Sequence, residues 1–171
     1  KDGYTKMFEK MLNHKNIDII LGTDYKQIIS DTKFNKMIYT GPIDYFFDFC
    51  YGKLPYRSLR FEWKNHKTAQ FQSCAVINQI EEKNPYTRIT EYKFLTNQVA
   101  SSTTISKEIP NSFGEPYYPI LHLDNIALSD KYNTKAKKEF SHVLFVGRLA
   151  EYKYYNMDQV VSKSLNHKID N

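Results

Sequence analysis

Apolar and polar residues follow two different periods along this chain. Near the start, Met7, Phe8, Met11 and Leu12 lie three and four apart, and predict a helix over Thr5–His14 capped by Thr5. Ile17–Leu21, ending at Gly22, and Lys36–Thr40, ending at Gly41-Pro42, are short apolar runs that read as strands. From Tyr56 the period drops to two, with Leu59, Phe61 and Trp63 alternating with Ser58, Arg60 and Glu62. Phe71–Ile80 and Tyr86–Phe94 read as further strands and Thr103–Ile109 as a weaker one, separated by turn signals at Asn84-Pro85 and Thr96-Asn97. Lys107–Pro119, with three prolines and a glycine, reads as loop. A helix is predicted over Asp124–Phe140, a strand over His142–Val146, and a last helix over Met157–Lys168 with Val160, Val161 and Leu165 inward.

The expected fold class is therefore mixed, α+β or α/β. An antiparallel sheet sits between a leading helix with two strands and a closing helix–strand–helix. The outer parts look like pieces of an α/β layer with few parallel partners.

Composition narrows the function. Of 171 residues, 41% are hydrophobic and 25% charged, the mix of a globular domain. No apolar run nears the roughly 18 residues that span a bilayer, and no secretory signal is visible, so membrane insertion is not expected. Cys50 and Cys74 are the only cysteines and form no close pair, which suits a reducing cytoplasm. The net charge of +5 suits an anionic ligand such as a nucleotide or diphosphate. The 14 tyrosines add apolar faces with polar tips. Without an RNP-like motif or a basic stripe, a nucleic-acid partner is not expected.

Several chemistries drop out: the chain has no HExxH, GxSxG, Walker loop or GxGxxG, and its five histidines show no metal-ligand spacing, so no metal is expected. What remains is arginine and tyrosine at strand ends and in loops: Arg57, Arg88, Tyr117 beside Tyr118, Arg148 and Tyr154. Guanidinium forks and phenol hydroxyls suit phosphate oxygens. Taken singly, each reads more readily as a surface charge, a salt-bridge partner or a turn residue than as a ligand group.

The stretches GYTKMFEKML (3–12), IYTGPID (38–44), YGKLPYRSLRFE (51–62), CAVIN (74–78), PYTRITEYK (85–93), EPYYPI (115–120) and VGRLAEYKYYNMDQV (146–160) together resemble the C-terminal half of the UDP-galactopyranose mutase family, in family order and spacing. The resemblance implies an isomerase that interconverts UDP-galactopyranose and UDP-galactofuranose for galactofuranose-containing glycans, through a sugar adduct on N5 of reduced FAD. It implies part of a discontinuous, Rossmann-like FAD-binding domain over 1–50, a substrate-binding antiparallel sheet domain over 51–122, and the strand–helix return of the FAD domain over 123–171. It also implies that the GxGxxG unit and a helical substrate-loop domain belong upstream, so that this stretch alone is expected to be inactive. Family members are often dimers, which leaves a homodimer open.

Residue by residue, the resemblance implies that Arg88 and Arg57 are the catalytic arginines, Arg88 on the substrate diphosphate and Arg57 beside flavin and sugar. Tyr117 and Tyr154 correspond to substrate-phosphate tyrosines. Thr40, Gly41, Pro42, Gly147, Arg148 and Met157 correspond to flavin-facing positions, with the dipole of the last helix aimed at the flavin. Many relatives carry Asp where this chain has Asn156, which would bind substrate or, as an Asn before a helix, cap it. Two other readings stay open: another flavoprotein of the amine-oxidase-like superfamily, and a non-catalytic nucleotide-sugar-binding fragment.

Overall fold

The computed structural model describes residues 3–167. The chain folds as two compact units, each built from two chain segments: unit 1 from residues 1–33 and 60–109, unit 2 from 34–59 and 110–171. The class is mixed α/β with an antiparallel sheet.

In unit 1, helix α1 covers Gly3–Leu12 and α2 covers Tyr25–Ile28. Thr5 lies inside α1 rather than at its cap, and the face of Met7, Phe8, Met11 and Leu12 is exposed. Ile17–Leu21 is not a strand but exposed coil. Among the described residues it has no neighbouring strand to take its backbone groups, and an apolar run without a partner does not pair.

The sheet of this unit carries strands β2 (Tyr56–His66, which enters from unit 2), β3 (Val76–Asn78), β4 (Arg88–Glu91) and β5 (Thr103–Asn111), in the order β3-β4-β5-β2. β4 pairs antiparallel with both β3 and β5. β3 is much shorter than the run Phe71–Ile80 predicts. The chain before it bends so that the Phe71 and Gln72 N–H groups donate to the Glu91 carboxylate, at 3.1 and 2.9 Å. β4 likewise stops at Glu91, and the next residues form helix α4, Lys93–Thr96. Lys93 Nζ gathers the carbonyls of Ala69, Ala100 and Ser102, and Asn97 closes the turn at φ 54°.

In unit 2, β1 (Met37–Tyr39) runs parallel to β7 (Val143–Phe145), with Tyr39 opposite Phe145. Helix α3 (Ile43–Phe46) follows the Gly41-Pro42 turn, and α5 spans Leu123–Glu139. The first residues of β2 pair antiparallel with β6 (Tyr118–Pro119), where sequence reasoning predicts loop. The pairing is extended by Tyr117 N–H donating to Arg57 O and Ile120 N–H to Pro55 O.

Ile43, Phe47, Leu54, Tyr132, Ala136 and Tyr152 form the core of unit 2, with Phe46, Phe140 and Phe145 against it. The Tyr132 hydroxyl accepts from Tyr51 N–H at 3.0 Å and donates to Gly52 O at 2.7 Å, which pins the loop before β2. Helix α6, Met157–Asn166, starts where predicted, while Lys168 lies outside the described residues. Its expected inward face is not buried: Val161 is exposed and Leu165 is 80% exposed.

Candidate functional site

Parallel strands run in one direction, so the segments that follow β1 and β7 leave the same carboxyl edge. Those segments are Thr40-Gly41-Pro42 and Gly147-Arg148, and the junction is tied by Val146 N–H donating to Tyr39 O at 3.1 Å. In open α/β sheets this edge is where ligands bind. The two glycines there differ. A Cβ on Gly41 would fall 2.6 Å from the Tyr39 hydroxyl, which itself donates to Pro42 O, so Tyr39 accounts for the glycine. Gly147 has φ 102°, and a Cβ there would meet no atom within 4 Å, so its backbone borders open space.

Arg148 is committed to the protein. One Nη donates to Tyr117 O at 3.3 Å and the other to Tyr155 O. Its guanidinium also lies 5.1 Å from the Tyr118 ring centre and 5.0 Å from that of Tyr154, and those rings stack on each other at 5.8 Å. Cation–π contact and two carbonyl acceptors replace much of the hydration that the guanidinium gives up. Because Tyr117 N–H also bonds Arg57 O, a continuous run of contacts joins Arg57, Tyr117, Arg148 and Tyr154, four of the residues singled out in the sequence.

Arg57 is the uncommitted arginine of this set. It is exposed, and among the described residues its guanidinium has no hydrogen-bond or ion-pair partner. It borders an open cavity of about 1090 Å³ in unit 2, together with Pro42, Asp44, Tyr45, Lys53 and Phe113. Asp44 is buried and accepts from Leu54 N–H at 2.8 Å, while its Oδ1 has no partner among the described residues. Burial pushes its carboxyl above the usual range, against the opposing pull of the Leu54 N–H. Burial also raises the Tyr56 phenol, with Asp44 adding to it, so Tyr56 remains a neutral donor.

Arg88 lies in unit 1, at the start of β4. Its Nε donates to Asn78 Oδ1 at 3.1 Å, and Nη1 is 3.6 Å from Glu108 Oε1. Asn78 and Glu108 sit directly opposite Arg88 on β3 and β5. Sequence reasoning missed both, because their only signal is cross-strand register, which a period-two pattern leaves open. Asn156 is the N-cap of α6: its backbone N–H donates to Gln159 Oε1 at 2.8 Å as part of a capping box. Met157, the first residue of α6, is 69% exposed, and Thr40 is exposed as well. Asp158 already places an anion in the first turn of α6, which offsets part of the positive end of its dipole.

Among the described residues, no group of His, Cys, Asp or Glu could hold a metal ion, and no helix is long and apolar enough to cross a membrane. The family model described as UDP-galactopyranose mutase matches residues 1–154. A UDP-galactopyranose mutase of Mycoplasma genitalium is 40% identical over 183 residues, covering 96% of this chain and 45% of the relative. A dTDP-fucopyranose mutase of Escherichia coli is 34% identical over 174 residues, covering 96% and 46%. A probable UDP-galactopyranose mutase of Klebsiella pneumoniae is 37% identical over 169 residues, covering 96% and 43%. The chain spans less than half the length of these curated relatives.

Proposed function

The chain belongs to the UDP-galactopyranose mutase family, and from that premise we propose that it serves the interconversion of UDP-galactopyranose and UDP-galactofuranose with FAD in its reduced form. The observation that carries the reading is the shared carboxyl edge of β1 and β7, whose segments Thr40–Pro42 and Gly147-Arg148 leave together beside open space at Gly147. That edge fits a flavin: the Gly147 backbone, Thr40 and the exposed start of α6 at Met157 would hold it, completing a Rossmann-like domain. Reduced flavin, when bound, supplies the nucleophile for the anomeric carbon.

The protein's own residues have a different task. Contraction of the sugar ring requires the nucleoside diphosphate to leave and then return to the same carbon. With Nε on Asn78 and Nη1 toward Glu108, Arg88 has Nη2 left for a phosphate oxygen. Within unit 2, the Tyr117 and Tyr154 hydroxyls and the Arg57 charge are groups of the kind that suit phosphate oxygens. Groups that keep the departed diphosphate nearby replace a slow bimolecular return with a fast local one. In this reading Arg148 acts as a scaffold for the tyrosines, and Asn156 as a helix cap.

The test is direct. Joined to the part of its relatives' length that it does not cover, the chain, supplied with FAD and reduced by dithionite, is expected to convert UDP-galactopyranose to UDP-galactofuranose on anion-exchange chromatography. The Escherichia coli relative favours a second reading, in which the preferred substrate is dTDP-fucopyranose, so both nucleotide sugars are run side by side. Absence of conversion of either, with a flavin spectrum that neither perturbs, refutes the reading. Oxygen consumption without isomerisation would mark an oxidase instead.

A further inference from the structure

We infer that Glu151 is the positioning residue of the segment 147–156, a role that rests on the function proposed above. Its carboxylate is used at both oxygens. Oε2 accepts from Gly147 N–H at 3.0 Å, while Oε1 takes Lys163 Nζ and the Tyr155 hydroxyl, the latter at 3.2 Å. Lys163 also donates to the Tyr155 hydroxyl at 3.0 Å. One side chain thus ties the glycine after β7 to the middle of α6.

The placement matters because Gly147 is held in a left-handed conformation that its own sequence does not impose. An N–H at φ 102° in a half-buried turn needs an acceptor, and Glu151 is the one provided. The carboxylate side chain is only 14% exposed, so its charge in turn needs Lys163. Burial pulls the Lys163 ammonium down, but Glu151 and the Tyr155 hydroxyl outweigh it and hold it above its ordinary value. Tyr155 carries the effect onward. Its hydroxyl is fixed by Glu151 and its carbonyl accepts from Arg148, the residue over which Tyr154 and Tyr118 lie. Moving Glu151 therefore moves Gly147 on the flavin side and Tyr154 on the substrate side, although Glu151 itself touches neither ligand.

The experiment compares Glu151→Ala and Glu151→Gln with wild type in the flavin-loaded protein. Amide hydrogen exchange at Gly147 is expected to speed up about tenfold in the Ala variant, the loss of one hydrogen bond in a partly buried site, with exchange in α5 unchanged. KM for the nucleotide sugar should rise about tenfold while kcat falls less than threefold. Glutamine keeps an acceptor for Gly147, so Glu151→Gln should restore most of the protection and most of the KM. Unchanged Gly147 exchange in Glu151→Ala overturns the assignment, as do equal losses in the two variants. If the wild-type protein isomerises no nucleotide sugar, the proposed function fails, while the exchange comparison still decides what Glu151 holds.

Discussion

The two units bury their interiors in opposite ways. Unit 2 has an aromatic core, in which Phe47 stacks on Tyr132 at 5.9 Å and meets Phe140 and Phe145 edge-on or stacked. Among the described residues, unit 1 buries only Ile89 and Ile105 as apolar side chains, beside Glu91, Thr90, Thr103, Ser106 and Gln72. Its centre is the Glu91 carboxylate, 0% exposed, which accepts from Phe71 N–H, Gln72 N–H and the Thr103 hydroxyl. A core of rings tolerates small adjustments through dispersion contacts. A core centred on one carboxylate depends on every donor staying paired.

The sharpest way to break this contrast is Glu91→Ala. It leaves the Gln72 N–H and the Thr103 hydroxyl buried, and the Phe71 N–H partly buried, without an acceptor, and should destabilise unit 1 by about 4 kcal/mol. Trp63, the single tryptophan, stacks on Tyr92 in that unit and reports its unfolding by fluorescence. A loss below about 1 kcal/mol would mean that the polar centre is incidental. In unit 2 the matching change is Tyr132→Phe, which keeps the stacked ring and removes the hydroxyl from Tyr51 N–H and Gly52 O. It should cost only about 1–2 kcal/mol in denaturant melts followed by near-ultraviolet circular dichroism.

Acid separates the units by sign. Burial raises the Glu91 pKa, but the bonds from Thr103, Gln72 and Phe71 outweigh it and leave the pKa lowered. A lowered folded pKa gives stability that is full above the unfolded value of about 4.3 and fades as pH falls through the folded one. Asp44 is raised, so its contribution is full below the unfolded value of about 3.9 and is lost as pH rises through the folded one. Lowering pH below about 4 should therefore shift the Trp63 midpoint to lower denaturant, with Glu91→Gln flattening that shift. Protection factors in α3, taken relative to intrinsic exchange at each pH, should rise as pH falls from about 7 to about 4, and Asp44→Asn should abolish that rise. The smallest effect expected is at the helix cap: Asn156→Ala should cost about 1 kcal/mol of stability, and Asn156→Asp only a few tenths.

How much of this was legible in the sequence follows the same divide. Lys36–Thr40 and His142–Val146 are found nearly where their apolar runs predict, because an aromatic core rewards an apolar pattern, and Asp124–Phe140 nearly where its helical composition does. Phe71–Ile80 and Tyr86–Phe94 shrink to Val76–Asn78 and Arg88–Glu91, because Glu91 draws backbone N–H groups away from strand pairing and no hydrophobic period records that. Lys107–Pro119 hid β6 for the opposite reason: its prolines suggest a loop, yet Pro119 needs no N–H of its own to lie opposite Tyr56. At the candidate site, the arginines and tyrosines could be picked out, but their partners could not. Asn78, Glu108 and Glu151 become visible only once strand register and the turn at Gly147 are known.

The proposed chemistry gives Arg88 the substrate diphosphate and no part in holding the flavin, so the most direct measurement takes those roles apart. Arg88→Ala is prepared with wild type in the chain joined to the part of its relatives' length that it does not cover, and bound flavin and turnover of UDP-galactopyranose under reducing conditions are measured on the same samples. Flavin content equal to wild type with turnover reduced at least a hundredfold, about 3 kcal/mol of lost transition-state stabilisation, is the predicted result. Near-normal turnover in Arg88→Ala would contradict the account.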